Sequence, residues 1–207
     1  MLKRVMTVLL PSPMLIRLVV TTALAGAGGC ASQISPTSPM LGRIAVLPPS
    51  DATGRPLSEM RGGTDGYDAP SQSLATLLAV EAGQQLARYG FDVVDPALVA
   101  STTRGRVPSS PDSAAEIVRS TKLNTTALFI RVRRWEFPYS TMRTNEILVS
   151  LDAMLVDPTS GRIVWQVHRP TKPVPLHGAL VGGQADAVAV QEVMREVLAP
   201  LRRRPPQ

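Results

Sequence analysis

Cysteine is almost missing from this chain: Cys30 is the only one in 207 residues. A single thiol excludes any disulfide within the chain, so in an oxidising compartment the fold must rest on its packed core. Histidine is nearly as scarce. His168 and His177 stand nine residues apart across three prolines, with no carboxylate at close spacing, which leaves zinc without a ligand set. Lysine occurs only as Lys3, Lys122 and Lys172. The remaining basic residues are arginines spread along the chain. With aromatics at 4%, no stretch interleaves basic and stacking side chains as a nucleic-acid surface would. A long apolar run is lacking too. Only twelve uncharged residues, three of them glycine, separate Arg17 from Cys30, whereas a membrane-spanning helix takes about 20.

Catalytic signatures are equally thin. Gly62-Gly63-Thr64-Asp65-Gly66 has no lysine nearby and lacks the phosphate-loop spacing, and no Gly-x-Ser-x-Gly elbow occurs among the many serines. Asp152, Asp157, Glu136 and Glu146 could supply a carboxylate pair for glycoside hydrolysis. They read more simply as exposed strand carboxylates opposite Arg131, Arg133 or Arg162. The sequence therefore offers no catalytic, cofactor-binding or metal-ligating set, and it predicts a protein that is not an enzyme.

What the chain does have is a patterned N-terminus. Lys3, Arg4 and Arg17 precede the uncharged stretch from Leu18 to Gly29, and small residues lead up to Cys30, the layout of an export signal. With Gly28 and Gly29 before the cysteine, it resembles the bacterial lipoprotein signal, although Ala27 stands where that family prefers leucine. Pro11, Ser12 and Pro13 interrupt the segment, and a start at Met14 gives a more compact signal ending at the same cysteine. The resemblance implies that residues 1–29 are removed and that Cys30 carries the lipid. Ala31 follows, where an aspartate would commonly signal retention in the inner membrane, so the expected location is the outer membrane, facing the periplasm. The same residues also admit cleavage by the ordinary signal peptidase, or a buried free cysteine.

Without residues 1–29 the chain has 178 residues, with 19 basic against 16 acidic and a net charge of +3. That length suits one domain with a proper core. Residues 30–41, rich in serine and proline, read as a lipidated cysteine and flexible tether. Residues 42–201 read as a folded domain, and 202–207 as a basic tail. Within the domain, Arg43 to Pro49 predicts a strand stopped by two prolines. Ser50 to Pro70, with four glycines, predicts a long loop. Leu74, Leu77, Leu78, Ala82, Leu86 and Tyr89 recur at helical spacing between Ser71 and Gly90. Phe91 to Asp95 reads as a second strand, Pro96 to Thr102 and Asp112 to Leu123 as helices, and Ala127 to Trp135 as a half-exposed strand. Asn145 to Val156 and Arg162 to His168 predict a hairpin about the Asp157 to Gly161 turn. A loop with three prolines follows, then a helix from Gln184 to Ala199.

This order, carried by Ile44 to Pro49, by Tyr89 to Val94, by the Leu155 to Trp165 hairpin and by Gly178 to Val181 before the last helix, resembles a periplasmic α/β domain. That domain is shared by the TolB N-terminal domain, the curli-secretion lipoprotein, the activator lipoproteins of penicillin-binding proteins and a family of outer-membrane lipoproteins of unknown function. The resemblance implies an α/β fold with helices packed on a mixed sheet. It also implies a binding or assembly role beside a transport, secretion or cell-wall complex, with a membrane contact through the lipid, a protein partner and no cofactor. An envelope hydrolase and a subunit of an oligomeric export pore are the competing readings. Trp135, Phe137 and Tyr139 alternate along one strand and are the candidate partner-binding rings, or else part of the core.

Overall fold

The computed structural model describes residues 42–54, 73–123, 125–137, 146–176 and 183–202. Cys30, the tether, most of the Ser50 to Pro70 loop, Tyr139, His177, Gly178 to Val181 and most of the basic tail lie outside them. The elements are β1 (Ile44–Val46), β2 (Ser50–Asp51), α1 (Leu74–Arg88), α2 (Pro96–Thr103), α3 (Pro111–Ser120), β3 (Thr126–Glu136), β4 (Glu146–Val156), β5 (Ile163–Pro175) and α4 (Gly183–Leu198). The fold is α/β. A mixed sheet runs β1-β3-β4-β5, with β1 and β2 both parallel to β3, and β3, β4 and β5 antiparallel to one another.

Local chemistry sets the element ends. Ser73 caps α1 by accepting a hydrogen bond from the Thr76 amide at 3.2 Å, so the cap lies two residues after Ser71, where the sequence suggested the start. Gly90 stops it in the left-handed region (φ +84), where a side chain would be strained. Asp95 caps α2 ahead of Pro96, and Ser110 with Ser113 forms a capping box ahead of Pro111 in α3. Lys122, at φ 57, ends α3 short of the expected Leu123.

The sheet has apolar packing on both sides. On one face Leu128, Ile130, Val132, Ile147, Val149, Leu151, Ala153 and Leu155 meet α1 and α4, which contribute Leu78, Leu86, Val193 and Met194. On the other face Ala45, Leu47, Ala127, Phe129, Met154 and Val156 meet α2 and α3 through Val99, Ala114, Ala115 and Val118. β4 is buried along nearly its whole length, and its end from Ala153 to Val156 lies between the two layers, which is why that stretch is continuously apolar.

Three strand expectations need correction. The segment from Phe91 to Asp95 is reduced to one parallel bridge, Ile44 to Val93, closed by the Ile44 amide on the Asp92 carbonyl and the Val94 amide on the Ile44 carbonyl, each at 2.8 Å. Asp95 is already the cap of α2, which leaves no length for a ladder. Ser50 and Asp51 open no loop; they resume strand pairing against Arg131 and Val132. β5 does not end at His168 but continues through Pro170 and Pro173 to Pro175. It is the edge of the described sheet, where a residue without an N–H removes no ladder bond.

Candidate functional site

α2 and α3 cover only the half of their sheet face nearest the β4–β5 turn. Beyond Phe129 and Met154 the same face carries polar residues, and no described helix lies over it. Strand register builds a row there. Ser50 pairs with Arg131, Arg131 with Asp152, and Asp152 with His168, so β2, β3, β4 and β5 each place one side chain across the sheet. Adjacent strands lie about 4.8 Å apart, which puts the backbones of Arg131 and His168 on the order of 10 Å from each other.

Asp152 is the hub of this row. Its Oδ2 accepts from Arg133 Nε at 2.6 Å, and its Oδ1 lies 2.7 Å from His168 Nδ1. The carboxylate is mostly buried while Arg133 and His168 are 52% and 58% exposed, so two exposed groups lean on one sheltered anion. Each carboxylate oxygen thus has one partner in the row. Arg131, exposed and directly opposite Asp152, makes no hydrogen bond or ion pair with the described residues. Ser50 Oγ, at the far end of the row, is buried without a hydrogen-bond partner. Toward the far end of the face, Leu148 is half-buried between Glu136 and Pro173 on the neighbouring strands.

Of the three candidate rings, Trp135 belongs to the core. It is 4% exposed and packs with the α1 and α4 layer, so in this conformation it presents no docking surface. A β-bulge explains the difference: the register with β4 shifts between Val132 and Arg134, and one extra residue turns every later side chain to the opposite face. Simple alternation puts Trp135 beside Arg131 and Arg133, whereas the bulge puts it beside Val132. Phe137 is 48% exposed, and Tyr139 lies outside the described residues.

Two buried polar groups escaped the sequence reading. Asp186, in the first turn of α4, accepts a hydrogen bond from Trp135 Nε1 at 2.9 Å. Burial raises its pKa above the usual carboxyl value, and the indole donor only partly offsets this. Arg169, buried in β5, donates from Nε to Glu196 of α4 at 2.8 Å and from a guanidinium nitrogen to the carbonyls of Val149 and Lys172. Neither partner is near in sequence, so no local pattern marks them. In the hairpin turn, hydrogen bonds from the Ser160 hydroxyl and the Thr159 amide lower the pKa of Asp157, which marks a turn rather than a site. Among the described residues no group of three or more His, Cys, Asp or Glu could hold a metal, and no helix is long and apolar enough to cross a membrane.

The fold defines a class, an α/β domain with a helix-covered and a partly open sheet face. No protein-family model matches the sequence, and no curated protein matches it either. Solved structures do. The PelC dodecamer from Paraburkholderia phytofirmans is similar at 18% identity over 86% of this chain and 99% of that one, with a TM-score of 0.48. A lipoprotein from Neisseria meningitidis is similar at 16% identity over 75% and 96%, with a TM-score of 0.47. The LpoB C-terminal domain from Salmonella enterica is similar at 15% identity over 68% and 87%, with a TM-score of 0.35. At these identities no residue role passes from one chain to the other.

Proposed function

We propose that this chain is a non-enzymatic, lipid-anchored protein of the outer membrane that faces the periplasm and binds a protein of a transport, secretion or cell-wall complex. The observation that carries the reading is the half of the sheet over which no described helix lies, where an arginine without a partner among the described residues and a row of interlocked polar side chains stand on strands. Their donors and acceptors suit recognition, and each oxygen of the one carboxylate in the row has a partner there. The anchor is Cys30, after Gly28 and Gly29 at the end of the export-type segment. Two signals are needed for firm attachment by acyl chains, and a diacylated cysteine supplies two chains at one residue.

Crosslinking in intact envelopes, followed by identification of what is attached, tests the role. A defined envelope protein captured by the native chain, and lost when the open face is altered, is the expected outcome. Turnover of an envelope polymer by the purified protein would replace this reading with that of a hydrolase.

A further inference from the structure

We infer that the open half of the sheet is a docking surface for an acidic, partly apolar polypeptide segment, with Arg131 as its principal contact. The inference rests on the binding role proposed above and names the chemistry of the partner.

Arg131, Arg133 and His168 surround a single carboxylate, Asp152, which is already held by Arg133 and His168. Arg134 is matched separately by Glu136 at 2.9 Å. Arg131 is thus the group left with a full guanidinium fork, on a strand held rigid by β2 and β4 on either side. A planar fork of five donors fits a carboxylate bidentately. Ser50, paired with Arg131 across the sheet, is buried and lies beneath this contact rather than in it.

Apolar neighbours narrow the class. Leu148, half-buried, and Pro173, exposed, are partners across β4 and β5 on this face. A cationic row running into apolar side chains complements a polypeptide that carries both acidic and apolar residues. An acidic sugar polymer has the charge but not the apolar side chains.

The test uses the full mature protein in detergent micelles and a short fluorescein-labelled peptide of alternating glutamate with leucine and serine, followed by anisotropy. The same peptide with glutamine for glutamate is the control, and polygalacturonate is the competing polyanion. Binding of the glutamate peptide that weakens about tenfold or more in Arg131→Glu and less in Arg131→Gln, with both variants melting like the wild type, is the expected result. Equal binding by folded wild type and Arg131→Glu, no binding by wild type, or equal binding of the glutamine peptide would overturn the inference. Tighter binding of polygalacturonate than of the peptide would overturn it in favour of a sugar polyacid. Because the assay needs neither the acyl anchor nor the native partner, it can succeed where the wider reading fails. Photocrosslinkers at positions 166 and 84, exposed on β5 next to His168 and on α1 respectively, separate the other case: capture from position 84 alone, with Arg131 intact, keeps the binding role and removes this face from it.

Discussion

The indole N–H of Trp135 donates to Oδ1 of Asp186 at 2.9 Å across a sequence separation of 51 residues, and both groups are buried. The bond ties the last turn of β3 to the first turn of α4. Trp135→Phe keeps most of the ring but leaves the Asp186 carboxylate without that donor, so stability should fall by about 1–3 kcal/mol. Urea denaturation followed by circular dichroism measures it, and a midpoint identical to wild type would show that the bond contributes nothing.

The same pair predicts a pH dependence. Burial raises the folded-state pKa of Asp186, so the folded chain keeps a proton that the unfolded chain has already released. The contribution of this group to stability is therefore full below the ordinary aspartate range and lost as pH rises through the raised value. Asp186→Asn, which can still accept from the indole, should flatten the stability profile across that window. A profile as steep as that of wild type would place the titration elsewhere.

Arg169 gives a contrast between a buried and an exposed contact with one acidic residue. Glu196 lies 2.8 Å from buried Arg169 and 3.6 Å from half-exposed Lys172. Removal of the carboxylate by Glu196→Ala should cost about 1–2 kcal/mol, since a charge-assisted bond to a buried guanidinium is lost. Lys172→Ala should stay within about 0.5 kcal/mol, the usual size for an exposed pair. Comparable losses from the two variants would contradict this ranking.

Gly83 sits inside α1 against β1. A methyl group there would meet Val93 Cγ1 at 3.7 Å and Val46 Cγ2 at 3.9 Å, ordinary packing distances. Gly83→Ala should therefore stabilise the protein by about 0.5–1 kcal/mol through helix propensity. A lower melting temperature would mean that α1 lies closer to the strand than these distances state.

Much of this was legible in the sequence because the signals are local. Leu74, Leu78, Ala82 and Leu86 mark the buried stripe of α1, and Gly90 its end. Asp157 to Gly161 marks the hairpin turn, and Asp152 is the strand carboxylate opposite arginine that the pattern suggests, though buried rather than exposed. Effects that depend on neighbouring strands were not legible. The bulge at Arg133 has no glycine or proline to announce it, yet it decides that Trp135 enters the core. Pro170 and Pro173 look like strand breakers until β5 proves to be an edge. The Trp135–Asp186 and Arg169–Glu196 contacts join residues that only tertiary packing brings together. Arg131 looked like any outward strand residue; only register with Ser50, Asp152 and His168 makes it part of a row.

The lipid anchor is the central claim, and the most direct measurement is the mass of the N-terminal peptide of the mature protein taken from membranes. The account predicts a peptide that begins at Cys30 and carries acyl chains on that residue, and a Cys30→Ser chain that no longer fractionates with membranes. A mature peptide with an unmodified Cys30 thiol, or one that begins at another residue, would contradict it.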